Sequence, residues 1–136
     1  MKELIELLHQ GHYSCVIKNQ GEIRTFSERG VTDLYDLVCN NSAFLKGAHV
    51  ADKVVGKAAA SLMIIGGISQ LYTDVISLPA LSLLQKAHII VEAKQSVPLI
   101  KNRTQTDLCP MEKKSLQAKT ADEVFSIIKA SIDQIK

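Results

Sequence analysis

The sequence predicts one α/β domain over residues 1–136, a three-layer α/β/α sandwich around a mixed sheet. A chain of 136 residues has the commonest length of a single domain. Its 46% hydrophobic and 22% charged residues are typical of a globular protein. Helical and strand patterns alternate after an initial hairpin, and this order favours helices packed on both faces of a sheet.

The first forty residues predict a helix, a hairpin and a second helix. Apolar residues recur at helical spacing over residues 1–9, and Gly11 is suited to end that helix. Two strands, 13–18 and 22–26, flank an Asn-Gln-Gly turn and predict a β-hairpin. Thr32 is the predicted N-cap of a short helix.

Residues 50–65 predict a helix that is buried on most of its circumference. Five apolar residues follow one helical face, and neighbouring apolar residues widen it: Val50, Val54, Ala58, Leu62 and Ile65. Small residues at 56 and 58–60 allow a close approach to a sheet, and Gly66-Gly67 ends the helix.

The second half of the chain predicts strands and helices in alternation. A strand over 71–77 precedes a helix that begins with Pro79 at its first position and runs through Lys86. Strands are predicted at 88–92 and at 97–101, the latter short and at an edge because it contains proline. Thr120 and Glu123 form a capping box that opens the last helix.

Composition excludes several classes of protein. A net charge of +2 and the absence of tryptophan argue against a nucleic-acid-binding surface. The longest apolar stretch, 58–68, is too short to cross a bilayer, and the N-terminus does not resemble a signal peptide. Three cysteines without a CxxC pair favour a reduced, cytoplasmic protein.

Several segments resemble a known family. The hairpin YSCVIKNQGEIRTF (13–26) and the segment LYTDVISLPALSLLQKA (71–87) resemble the opening hairpin and the zinc-motif corner of cytidine deaminases. The runs GKAAA, SLPAL and CPMEK resemble a small family of uncharacterised prokaryotic proteins that has this fold and no established activity. The resemblance covers nearly the whole chain and implies a cytidine deaminase-like fold.

The zinc motifs of the deaminases are missing from the sequence. A zinc deaminase needs a His or Cys ligand, a Glu two residues later and two cysteines spaced by two residues. Pro79 matches the motif, but Ala80 and Leu83 occupy the cysteine positions, and His49 is followed by Ala51 instead of glutamate. The sequence therefore predicts no zinc-dependent deaminase activity, no metal and no cofactor.

Three polar residues near the start of the predicted 50–65 helix are candidates for ligand binding. The fold implied by the resemblance has its pocket where this helix and the helix after strand 71–77 both begin. Asp52, Lys53 and Lys57 lie near that point, and the two lysines, four residues apart, would share a helical face that could hold an anion. The alternative interpretation is a solvated rim on a buried helix.

A second group of candidates lies in the segment 101–119, which carries a local charge of +3. Cys109 precedes Pro110, so at a helix N-terminus its thiol could act as a nucleophile, with Glu112 close by. Arg103 could hold a phosphate by two parallel hydrogen bonds. A buried structural cysteine and a surface arginine are the alternatives.

Three functional hypotheses follow. The first is a metal-independent domain that binds a small anionic or nucleoside- or nucleotide-type ligand. The second is a zinc-independent enzyme that uses Cys109 as its catalytic residue. The third is an interaction module that forms a homo-oligomer through a sheet edge and the apolar segment 62–68.

Overall fold

A five-stranded mixed sheet in the order β2-β1-β3-β4-β5 organises the molecule. The structure is a computed structural model that describes residues 1–27, 32–98 and 118–135. β1 is antiparallel to both β2 and β3, whereas β3, β4 and β5 are parallel. The strands are β1 (Cys15–Asn19), β2 (Glu22–Phe26), β3 (His49–Val55), β4 (Gln70–Ser77) and β5 (Ile90–Val97).

Helices pack on both faces of this sheet. Within the described ranges there are six: α1 (Lys2–Gln10), α2 (Thr32–Asn40), α3 (Ser42–Leu45), α4 (Lys57–Gly66), α5 (Leu78–Lys86) and α6 (Ala121–Ile135). Leu4 and Leu8 of α1 are buried with Val16, Ala51 and Tyr72 on one face. The larger core, to which α2 to α6 contribute, lies on the other face. The predicted α/β class with a mixed sheet is confirmed.

Helix α4 lies at the centre of the larger core. It packs against α2, α5 and α6, and most of its side chains are buried, as expected for a wide apolar stripe. Its last residue, Gly66, is in close contact with α3, since a Cβ atom built there would lie 2.7 Å from Cδ1 of Leu45. Gly67 then ends the helix in the left-handed conformation, with φ of 80°.

The predicted helix over residues 50–65 is wrong in its first half. His49–Val55 forms β3, Gly56 is the N-cap, and only Lys57–Gly66 is helical. β3 is flanked by strands on both sides, and residues 50–52 are buried on either face although Val54 is 46% exposed, so the strand lacks the regular polar alternation of a half-buried strand. Val50 and Val54, four residues apart, therefore imitated a helical stripe.

Other elements agree with the sequence to within a few residues. The hairpin, the opening helix and the strand before α5 are present. Pro79 occupies the second position of α5, because Ser77 is the N-cap. Strand β5 is Ile90–Val97, so it begins later than predicted, and most of the predicted strand 97–101 lies outside the described residues.

The capping box at the start of α6 is formed. The Thr120 hydroxyl accepts a hydrogen bond from the Glu123 backbone N–H at 3.2 Å, and the Glu123 carboxylate accepts one from the Lys119 N–H at 2.8 Å. Across the part of the chain that the structure describes, no helix has the length and apolar character needed to traverse a bilayer.

Candidate functional site

The carboxyl ends of β3 and β4 lie side by side, and a helix follows each of them. Val55 of β3 is the register partner of Ile76 of β4. Helix α4 begins two residues after Val55, and α5 begins two residues after Ile76. Two helix N-termini are thus found at one edge of the sheet, which is where open α/β sheets commonly bind ligands.

The two helix N-termini differ in how they are capped. In α5 the hydroxyl of Ser77 accepts a hydrogen bond from the backbone N–H of Ala80 at 3.3 Å. In α4 the N-cap residue is Gly56, which has no side chain to accept such a bond. The N-terminus of α4 therefore carries the positive end of the helix dipole without a capping side chain of its own.

Asp52 is a buried carboxyl group on β3, three residues before the end of the strand. Its side chain is 8% exposed and lies on the sheet face that packs against α4. Burial raises the pKa of Asp52 to about 7, although hydrogen bonds from the Val54 and Lys53 N–H groups and from Cys15 lower it. The carboxyl group therefore exchanges its proton near neutral pH.

Cys15 of β1 is the register partner of Asp52, and its thiol donates a hydrogen bond to the carboxylate. Burial, followed by the charge of Asp52, raises the pKa of the Cys15 thiol well above its ordinary value. Thr73 of β4 is the partner on the other side and is also fully buried. Cys15, Asp52 and Thr73 thus form a buried polar row across three neighbouring strands. The sequence did not reveal this polar row, because it depends on the register of the three strands.

Lys57 is the first residue of α4 and is only 7% exposed. Its ammonium group donates a hydrogen bond to the backbone carbonyl of Ala118, and its own carbonyl accepts one from the Ser61 hydroxyl at 2.7 Å. Ala118 immediately precedes the capping box of α6. Lys57 therefore ties the start of α4 to the start of α6.

The expectation that Lys53 and Lys57 share a helical face is wrong. Lys53 is in β3 and Lys57 is in α4, so the four-residue spacing does not place them together. Successive strand residues point to opposite faces, so Lys53 lies on the face opposite to Asp52. Asp52 and Lys57 remain at the carboxyl edge of the sheet.

The other predicted site residues, Arg103, Cys109 and Glu112, lie outside the described residues. Among the residues with described positions, no three His, Cys, Asp or Glu side chains come close enough together to hold a metal ion.

A second polar cluster lies on the face of the sheet that carries α1. His9 Nε2 is 2.8 Å from Asp74 Oδ1, and the Tyr72 hydroxyl donates to the same oxygen at 2.6 Å. This hydrogen bond and burial raise the pKa of Tyr72 to about 12. The sequence assigned no role to these residues, since His9 and Asp74 are 65 positions apart.

An open cleft of about 300 Å³ lies at the other end of the strands, next to the start of β3. His49 lines this cleft with Glu3 and Lys18, which form an ion pair at 3.4 Å. His49 is exposed at the start of β3 and is therefore remote from the carboxyl edge where Asp52 and Lys57 lie.

Comparison with known proteins gives the family. Residues 3–132 match the family described as TM1506, a domain of unknown function (DUF1893). A similar solved structure is that of a DUF1893 family protein (TM1506) from Thermotoga maritima, at 24% sequence identity and a TM-score of 0.88; the match covers 96% of this chain and 88% of that one. No curated protein matches the chain. Because the family match spans nearly its whole length, the chain belongs to the DUF1893 family of domains of unknown function.

Proposed function

We propose that this domain binds a small nucleoside- or nucleotide-type ligand, without a metal, at the carboxyl edge of β3 and β4. The observation that carries the proposal is the buried carboxyl of Asp52, whose pKa is about 7, on the strand that leads four residues later into Gly56, the N-cap of α4. A buried carboxyl that titrates near neutral pH is a recognised mark of functional sites.

The two groups fit different parts of one ligand. Near neutral pH the Asp52 carboxyl is present in both protonation states, so it can donate to or accept from a heterocyclic base edge. The backbone N–H groups at the start of α4, together with the cation of Lys57, favour an anionic group such as a phosphate. A ligand that combines a polar ring with an anion uses both.

The element order supports a cytidine deaminase-like fold for this domain. A helix, a hairpin and a helix are followed by strands that alternate with helices, which is the order that the resemblance implies. We place the proposed pocket at the start of α4, because that helix directly follows β3. In this proposal the scaffold retains a ligand pocket and works without the zinc motifs.

A binding panel with matched variants tests the proposal. The folded protein is titrated with nucleosides, nucleotides, phosphate and simple carboxylates, and binding is read by calorimetry and thermal shift. At 100 times its dissociation constant a ligand adds about 2.7 kcal/mol, which shifts the melting temperature of such a domain by several degrees.

The variants locate the site. Asp52→Asn and Lys57→Met should each weaken binding at least about tenfold, the effect of losing one hydrogen bond to a charged group. Lys53→Met is the matched control, because Lys53 lies on the opposite face of β3, and it should bind as the wild type does. A panel without binding, or binding that survives both site variants, contradicts the proposal.

A zinc-independent enzyme is the second candidate function. A carboxyl with a pKa of about 7 is well suited to general acid–base catalysis at neutral pH, and this property of Asp52 favours the idea.

Cys109 is the proposed nucleophile. Alkylation of the folded Cys15→Ser/Cys39→Ser protein tests it: a Cys109 thiol that titrates well below about 8.5 supports catalysis, and an inert thiol opposes it.

A further inference from the structure

Strand β5 is an edge strand with little cover on its faces. Six of its eight residues are exposed, and Ile90 is 66% exposed. It pairs with β4 on one side, and among the described residues no strand pairs with its other side. An edge of this length presents a row of backbone N–H and C=O groups to which another strand can add.

The backbone geometry shows which residues of β5 point outward. The Ile90 N–H donates a hydrogen bond of 3.4 Å to the carbonyl of Ser69, the residue just before β4. The backbone of Ile90 therefore bonds inward, toward β4. In a parallel pair, alternate residues bond to the neighbouring strand. Residues 90 and 92 therefore bond to β4, and the backbone groups of Val91 and Ala93 point outward; the register of β4 and β5 is interrupted at Lys94, where this alternation ends.

We propose that β5 is a homodimer interface, in which β5 of a second copy adds antiparallel and joins the two sheets across a two-fold axis. The axis passes through Ala93, so that Ala93 of the two copies are opposite each other. The outward N–H and C=O groups of the two Ala93 residues then bond to each other, as in the hydrogen-bonded pair of an antiparallel ladder.

Charge complementarity selects this register and this partner. With Ala93 opposite Ala93, Glu92 of each copy lies opposite Lys94 of the other, and two ion pairs form. A shift of two residues in either direction sets Glu92 against Glu92 or Lys94 against Lys94, and like charges directly opposite are destabilising. A shift of one residue places the outward-pointing backbone groups of one copy opposite groups of the other copy that already point inward to β4, so no hydrogen bonds form between the copies. Of these registers, the one centred on Ala93 brings opposite charges together.

The face on which these charges lie is open. Glu92 is the register partner of Tyr72, which lies on the sheet face that carries α1. Helix α1 packs on β1 and β3, which are three and two strands away from β5, and contacts β4 through the hydrogen bond between His9 and Asp74. Glu92 and Lys94 are both exposed, so their side chains are accessible to a second copy.

A cysteine scan tests the register. Glu92→Cys, Ala93→Cys and Lys94→Cys are made singly in a Cys39→Ser/Cys109→Ser background and oxidised. Hydrogen-bonded antiparallel partners have Cα atoms about 5.5 Å apart, within the range that a disulfide spans. Ala93→Cys should form a covalent dimer fastest. Faster cross-linking at 92 or 94 overturns the proposed register.

Charge reversal tests the partner. Sedimentation of the wild-type chain from micromolar to millimolar concentration should show a monomer–dimer equilibrium. Glu92→Lys and Lys94→Glu should each raise the dissociation constant about tenfold, because two attractive pairs become repulsive. The double reversal should restore it. A wild-type chain that stays monomeric, as it would if another protein's strand occupied this edge, overturns the proposal, and so does a double variant that dimerises no better than the single ones.

Discussion

At the scale of single residues, Asp52 makes the stability of the fold depend on pH. The pKa of Asp52 is about 7 in the folded chain, whereas the ordinary value of an aspartate carboxyl, which applies to the unfolded chain, is 3.8. The folded state therefore binds the proton more tightly. The resulting stabilisation is complete below pH 3.8 and is lost as pH rises through 7. The difference in pKa corresponds to a free energy of unfolding on the order of 4 kcal/mol.

Asp52→Asn should remove this pH dependence. Wild-type stability, measured by urea unfolding at several pH values between 4 and 7.5, should fall relative to the variant as pH rises, because only the wild type must bury a carboxylate. Asp36→Asn is the control, since Asp36 is exposed on α2. Parallel pH profiles of the wild type and Asp52→Asn would show that the buried carboxyl does not titrate near neutrality.

Tyr72 should be the last phenol to ionise. Its hydroxyl donates to Asp74 at 2.6 Å, and its pKa is about 12. In an alkaline titration followed by phenolate absorbance, one of the three tyrosines should ionise near pH 12. That component should vanish in Tyr72→Phe and persist in Tyr13→Phe. If it persists in Tyr72→Phe, the hydrogen bond to Asp74 is not formed in solution.

The candidate site residues that the sequence offers are those whose residue type alone draws attention. Asp52 and Lys57 were candidates because charged residues stood beside an apolar run. Cys15 and Thr73 were not, because they meet Asp52 only through strand pairing. Chain spacing contains no information about which residue of a distant strand will lie opposite, so the polar row could be found only in the folded chain.

At the scale of elements, the junction of β3 and α4 shows the limit of periodicity. The first half of β3 is buried on both faces and shows no polar alternation, so the valines of the strand joined the apolar stripe of α4 into one apparent helix. β-branched residues at 50, 54 and 55 followed by Gly56 were the signal for a strand and an N-cap. The hairpin and helices α1, α2, α5 and α6, bounded by turns and caps, were predicted to within a few residues, whereas the short helix α3 was not predicted.

Gly66→Ala should destabilise the fold, although alanine favours helices. The new Cβ would lie 2.7 Å from Leu45 Cδ1 and 2.9 Å from Leu45 Cβ, so α3 and α4 must move apart. Overpacking of this kind costs about 1–3 kcal/mol. Urea unfolding of the single variants and of Gly66→Ala/Leu45→Ala forms a double-mutant cycle. The cost should be smaller when residue 45 is alanine; additive costs would contradict the contact.

At the scale of the whole molecule, the two edges of the sheet have different surroundings. The carboxyl edge of β3 and β4 carries the helix N-termini and the buried polar row, and we propose that it holds a ligand. The lateral edge, β5, has little cover from described elements and we propose that it holds a second copy. Because the two surfaces involve different strands and residues, disruption of one should leave the other intact.

Hydrogen exchange of individual amides should separate the edge from the interior. The inward-bonded amides of β5, those of Ile90 and Glu92, should be protected at every protein concentration, because the β4 side of the sheet accepts from them. The outward amides, that of Ala93 above all, should exchange rapidly in dilute solution and slow down as the concentration rises and dimers form. In the Glu92→Lys variant the protection of the outward amides should require about tenfold higher concentration. Outward amides that exchange at the same rate in dilute and concentrated protein would show that β5 stays unpaired.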